Sequence, residues 1–398
     1  MFVLRNKFRY RGSYFSYAIT YFAYFFAMGT MVNMLSLYLT SGLGKTDQEM
    51  TFITSASSLF GIITNPIVGY LNDRFRKPKV LAAVLLFTAA GAALLFSISK
   101  NTFVLYVLSG AISGLIGAVS PISERVASSG KYRYGQIRIW GTIGFAAAPP
   151  IAGSIFEYAE SYLVFVMVAV VLVVAAVSYL LLTGIRFYSD DRPEAETAPV
   201  QDKGGRLSFF KNPMFLLFVC IGMIYSGAAG LNNAYSPILL QDLGLSTSLV
   251  GTVISVSVLV ELPIVLFSNV YMDRFSCKTL AGLSVGLMLL QFLFYSFCRS
   301  LPVVLVAMIL LKAVCGTIFM MVQLKLIRGV VGDDSVSTAQ GSMSSINSVA
   351  TIVIQNAGGW LAGSFGIQPL YIALSVLTAV ALVLSLFLKV DNTKKFFS

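Results

Sequence analysis

Three ionisable side chains lie well inside apolar stretches of this chain: Arg138, Glu261 and Lys312. A charge inside a membrane helix costs at least ~2.5 kcal/mol, so it faces a partner or a wet cavity. Arg138 enters the run Ile137 to Ile155 as its one charge before a series of glycines, alanines, prolines and aliphatics. A guanidinium there offers a planar fork of donors, suited to bidentate bonds with hydroxyls or a carboxylate. Glu261 and Lys312 have opposite signs and lie near the middle of their stretches. Mutual pairing is the economical explanation, and it admits two readings. One is a static bridge between two helices. The other is a carboxyl that loads and releases a proton: low dielectric favours its neutral form, and a nearby ammonium favours the carboxylate. A conformational change that alters their separation would then act as a switch. The chain has no His, so no imidazole carries protons. Glu124, at the end of an apolar stretch, is a further candidate for proton coupling.

The elements that hold these charges are apolar. The 398 residues are 57% hydrophobic and 11% charged, with a mean hydropathy of +0.82. A soluble domain is about 25% charged. The composition therefore predicts an integral membrane protein. Twelve stretches are long enough to span a bilayer: near 13–40, 50–71, 79–98, 101–122, 135–157, 160–184, 212–240, 248–270, 278–298, 301–327, 339–364 and 367–389. Backbone groups in lipid must bond internally, so these are helices. They are too continuously apolar for the alternating strands of a β-barrel. The fold class is all-α, and the domain reading is a half at 1–185, a linker at 186–211 and a half at 212–398.

The net charge of +11 is a topology signal and not a nucleic-acid footprint. Place both termini in the cytoplasm. The opposite side then holds Lys45, Lys100 and Arg299, and the spans hold Arg138 and Lys312; the remaining 23 of the 28 Lys and Arg lie on the cytoplasmic side. This is the positive-inside bias. A multi-pass cell-membrane location follows, with lipid as the surrounding partner and no nucleic acid. Cys220, Cys277, Cys298 and Cys315 have no metal-ligand or redox spacing and read as packing thiols. No metal and no cofactor are expected, and a monomer is. The basic start, Arg5 to Arg11, precedes a first membrane helix without a cleavage site. Tyr188 to Gly205 is the one long polar stretch and reads as a linker.

Polar residues mark candidate binding positions. Tyr14, Tyr17, Tyr21 and Tyr24 share one helical face. They read either as anchors and packing or, for Tyr21 and Tyr24 with the deeper Asn33, as a cavity lining. Asn232, Asn233, Tyr235 and Ser236 interrupt the seventh stretch before Pro237, while Asn33 and Tyr38 lie at comparable depth in the first. Matched interruptions point to a midplane site. The eleventh stretch is rich in Ser, Thr, Asn and Gln. Small hydroxyls let helices pack closely, which leaves the amides Asn347 and Gln355 as the better binding candidates. Trp140 and Phe145 could stack on a ring face, or simply pack.

Two motifs carry a family resemblance. Gly69-Tyr70-Leu71-Asn72-Asp73-Arg74-Phe75-Arg76-Lys77-Pro78-Lys79 resembles the loop signature of the major facilitator superfamily. Gly69 there permits close helix approach, and Asp73 caps or pairs beside Arg74. The family's glycine after the Phe is Arg76. A weaker copy, Asn269 to Lys278, follows the eighth stretch and supports two homologous halves. The resemblance implies twelve helices in two six-helix halves. Glu124-Arg125-Val126 and Tyr134 to Gly141 further resemble oligosaccharide:proton symporters, with wording still closer to nucleoside and phenylpropionate-type permeases. Arg138 matches the arginine that in this branch pairs with an acid and binds sugar. Ser120 stands at the sugar-binding acid, and Glu124 matches a second acid. Val258 stands at the acid of the eighth helix, Gln291 near an arginine of the ninth, and Lys312 where relatives carry a histidine.

The resulting expectation is a secondary transporter, not an enzyme, alternating around a central cavity. No nucleotide signature appears, so an ion gradient, by preference protons, supplies the energy. The favoured substrate is a neutral polyhydroxyl solute, a sugar, oligosaccharide or nucleoside, moved by proton symport. Proton-coupled efflux of amphiphiles is the alternative, suited by Met320 and Met321. A non-transporting sensor is the third reading.

Overall fold

The computed structural model describes residues 2–75, 77–129, 132, 134–182, 210, 212–267, 271–272, 274–330 and 336–388. The linker stretch 188–205 lies outside them. Among the described residues, twelve long helices run in chain order. The first six are α1 (Phe2–Leu37), α2 (Asp47–Phe75), α3 (Pro78–Ile98), α4 (Thr102–Ser129), α5 (Tyr134–Tyr158) and α6 (Leu163–Leu181). Then follow α7 (Pro213–Asp242), α8 (Thr247–Leu266), α9 (Cys277–Phe297), α10, α11 (Val336–Phe365) and α12 (Ile367–Leu386). Here α10 combines Leu301–Val306, a π-helical turn at Ala307–Leu311, and Lys312–Val330. Eleven are long and apolar enough to cross a membrane. The other, α11, is of similar length but is diluted by its row of Ser, Thr, Asn and Gln.

Local chemistry sets the ends. Thr46 and Glu49 form a reciprocal capping box at α2, through Thr46 N to Glu49 Oε2 at 3.1 Å and Glu49 N to Thr46 Oγ1 at 3.3 Å. Asn212 and Ser276 cap α7 and α9 with their side-chain oxygens. Gly44 and Gly244 have φ of 65° and 92° and each stands three residues before its next helix, α2 or α8. A β-carbon is disfavoured there. The same turn at the same place is a mark of internal duplication.

Packing repeats as well. In the first six helices α1 packs on α5 and α6, and α3 on α4 and α6; in the last six α7 packs on α11 and α12, and α9 on α10 and α12. Both central seams rest on glycine. A β-carbon on Gly29 would stand 2.8 Å from the Phe145 carbonyl oxygen, and one on Gly144 would stand 2.3 Å from that of Phe22. On α7, Gly222 and Gly230 face Asn347 and Thr351 of α11. Small residues let backbones approach this closely.

The chain divides into two compact units, Met1–Pro193 with Gly244–Ser255, and Glu194–Leu243 with Val256–Ser398. The sequence partition placed Gly244–Ser255 in the second half. Its place in the first unit has a local cause. A β-carbon on Gly153 would stand 2.5 Å from the Thr247 oxygen, and one on Gly251 would stand 2.3 Å from that of Pro149. Glu157 Oε2 accepts the Ser248 N–H at 3.1 Å, Ser154 and Ser248 hydroxyls lie 3.0 Å apart, and Ser255 donates to the Ala146 carbonyl. The first half of α8 is thus seated on α5.

The expected role of Gly69 in close helix approach does not hold among the described residues. It is exposed, and a β-carbon there would meet nothing within 4 Å. Arg74 is exposed and donates to the Tyr70 hydroxyl at 3.1 Å. The Asp73 side chain lies outside the described residues.

Candidate substrate and coupling sites

In the first unit, α5 starts at Tyr134 and so lifts Arg138 into its second turn. There Arg138 Nε stands 3.3 Å from Glu124 Oε1, near the end of α4. Its guanidinium carbon lies 4.3 Å from the centre of the Phe25 ring of α1, a cation–π arrangement. Gly141 makes this possible: a β-carbon there would stand 2.5 Å from the Phe25 ring and 3.0 Å from an Arg138 terminal nitrogen. The side chains of Arg138 and Glu124 remain 35% and 39% accessible. An arginine in this setting is held on one face and through Nε, and its side chain stays partly accessible. The Glu124 carboxylate balances its charge.

A hydrogen-bonded scaffold surrounds the pair. Tyr24 donates to the Ile116 carbonyl at 2.7 Å. Tyr21 donates to the Ser123 carbonyl, and the Ser123 hydroxyl meets the Tyr179 phenol of α6. Tyr21 and Tyr24, read as a cavity lining, are instead buried between α1 and α4, where their hydroxyls fix helix spacing. Trp140, a candidate for stacking on a solute ring, donates its indole N–H to the Tyr14 hydroxyl at 3.0 Å, and the aromatic ring over Arg138 is Phe25. Phe145 is half-buried and its backbone meets α1 at Gly29. Asn33 is half-buried and returns a bond to the Gly29 carbonyl at 2.8 Å.

In the second unit, Glu261 and Lys312 are both half-buried, and each lies within the other's electrostatic reach. No ion pair within 4.0 Å joins them; among the described residues the pairs are Lys45–Glu49 and Arg138–Glu124. The closed static bridge is therefore not what the structure contains. Lys312 follows the π-helical turn of α10 directly, a feature that re-aims side chains and is frequent at functional sites. Beside it, Cys315 contacts the Gln291 amide oxygen at 3.9 Å, and Gln291 donates to the Tyr295 phenol at 3.0 Å. Gln291, which stands near the ninth-helix arginine of the resembling branch and is on that ground a substrate-binding candidate, is 1% exposed and belongs to the interior packing of α9 with α10. Asn232 is likewise buried and accepts from Tyr371 at 3.2 Å, while Asn233 is half-buried. Asn347 and Gln355 are buried against α7, and their amide oxygens have no hydrogen-bond partner among the described residues.

Phe25, Tyr179 and Tyr225, whose ring stacks on Phe319 at 3.7 Å, are residues sequence reasoning missed. The proximity of Phe25 to two face-marking tyrosines in α1 was a signal; nothing local distinguished the others.

The sequence matches the MFS_1-like family over residues 14–373. It is a member of that family. As such it is a multi-pass membrane transporter and not an enzyme, with the twelve-helix fold expected from its loop motifs. It is 26% identical over 384 residues to the maltose permease of Geobacillus stearothermophilus, covering 95% of each chain. A raffinose permease of Escherichia coli is 29% identical over 154 residues, 35% of this chain and 36% of that one. Among solved structures, the nucleoside transporter NupG superposes with a TM-score of 0.80 at 16% identity, covering 94% of this chain and 97% of that one. The transporter therefore shares its fold with a nucleoside carrier and most of its length with a sugar carrier.

Proposed function

We propose that this transporter moves a neutral polyhydroxyl solute, a sugar or oligosaccharide with nucleosides next in order, by proton symport with alternating access. The observation that carries the reading is the Arg138–Glu124 pair. A partly accessible guanidinium binds vicinal hydroxyls, and a carboxylate 3.3 Å away accepts from them. The pair is formally neutral, so an anionic ligand would have to compete with Glu124 for Arg138. That favours a neutral solute over an aromatic acid. The sugar permeases among the relatives support the same class. Glu261 is the proposed proton carrier, working against Lys312. Both termini are assigned to the cytoplasm on the distribution of Lys and Arg.

A thermal-shift screen of the purified transporter against sugars, nucleosides and aromatic acids tests the substrate class. A ligand at a hundred times its Kd stabilises the folded state by about 2.7 kcal/mol, which moves the melting temperature measurably. Stabilisation by a sugar or nucleoside is expected. Stabilisation confined to aromatic acids would contradict the neutral-solute reading.

A further inference from the structure

We propose that Glu261 and Lys312 ride on one rigid pair of helices, α8 and α10, and that Lys325 is the positioning residue that locks the pair. The inference rests on the proton-carrier reading and changes how it works: the switch acts through the solvation of Glu261, not through its separation from Lys312.

Four hydrogen bonds bracket the two charges. On one side the Ser257 hydroxyl of α8 donates to the Met308 carbonyl of α10 at 3.1 Å. Ser257 is one turn before Glu261 and Met308 one turn before Lys312, so this bond ties the two helices one turn from each charge, on the same face of α8 as Glu261. On the other side Lys325 stands thirteen residues beyond Lys312 in α10, about 20 Å along the axis. Its side chain is turned inward, and the residue is 4% exposed. The ammonium donates to the Met272 carbonyl and, at 3.3 Å, to that of Phe275. The loop it grips is in turn fastened to α8, because the Tyr271 hydroxyl donates to the Ile264 carbonyl at 3.1 Å.

A buried ammonium is costly unless its hydrogens are bonded, and buried backbone carbonyls need donors as well. Lys325 meets both needs at once, which explains a lysine turned inward. Its neighbour on α9 is the Cys277 thiol. The ionisable groups around Glu261 are Lys312 of α10 and Tyr225 of α7, with Cys315 beside Lys312. With α8 and α10 tied on either side of the two charges, the Glu261–Lys312 separation stays constant through the cycle. What changes at Glu261 is its access to water.

Spin labels on the exposed residues Leu259 and Leu310, as L259C and L310C with Cys220 and Cys298 replaced by serine, report the α8–α10 distance in the full-length transporter in liposomes. One narrow distance is expected, unchanged between acid and alkaline pH and with maltose present or absent. Lys325→Met is expected to broaden it, to shift the pH profile of uptake and to lower accumulation more than exchange; Lys325→Arg is expected to preserve all three. A wild-type distance that moves with pH or sugar overturns the proposal, whether or not the methionine variant folds. So does a folded Lys325→Met variant with wild-type distance and pH profile. Absent pH dependence of wild-type transport, with a constant distance, would reject the proton reading and leave the rigid pair standing.

Discussion

Arg138→Lys is expected to lower transport about ten- to a hundredfold, on the scale of the 1.5–3 kcal/mol that a hydrogen bond to a charged group contributes. Lysine keeps the charge, so Glu124 retains a cation and the protein still inserts. It loses the planar fork and the flat contact with Phe25, whose ring centre lies 4.3 Å from the guanidinium carbon. Phe25→Ala is expected to move in the same direction with a smaller loss, because the guanidinium keeps its bond to Glu124. Initial uptake rates at matched membrane abundance provide the check. Wild-type rates in the lysine variant would remove Arg138 from the substrate site.

The second large effect is expected at Glu261. Glu261→Gln mimics the protonated carboxyl; it should abolish gradient-driven accumulation while leaving equilibrium exchange of solute intact. The contrasting arrangement is a static bridge, in which both residues only join helices. Since no ion pair within 4.0 Å closes between Glu261 and Lys312 among the described residues, removal of both charges should not restore coupling. Glu261→Gln with Lys312→Met is therefore expected to remain uncoupled. Proton-driven accumulation by the double variant would reject the carrier role.

The helices were legible because the bilayer allows few solutions. A run of about 20 apolar residues must be a helix, and the two loop motifs disclosed a duplication. The division of α8 was not legible, since it depends on two glycines, Gly153 and Gly251, meeting backbones distant in sequence. Arg138 stood out as a charge in an apolar run, but its environment did not. Glu124 was read as a separate coupling acid and proves to be its ion-pair partner, and Phe25 was hidden among the aromatic residues of α1. Lys325 was counted with the topological cations at a helix end, and only the fold shows its ammonium turned inward onto carbonyls. The tyrosines of α1 show the converse: a shared face is visible in sequence, but whether it meets a cavity or another helix is decided by α4.

Solute-induced proton flux tests the central claim most directly. Proteoliposomes carrying the full-length transporter, weakly buffered and without an imposed gradient, are given the solute that stabilises the protein while the external pH is followed. Symport predicts external alkalinisation as the solute enters with protons, absent in Glu261→Gln. External acidification, the signature of antiport, or solute entry with no pH change at all would contradict it.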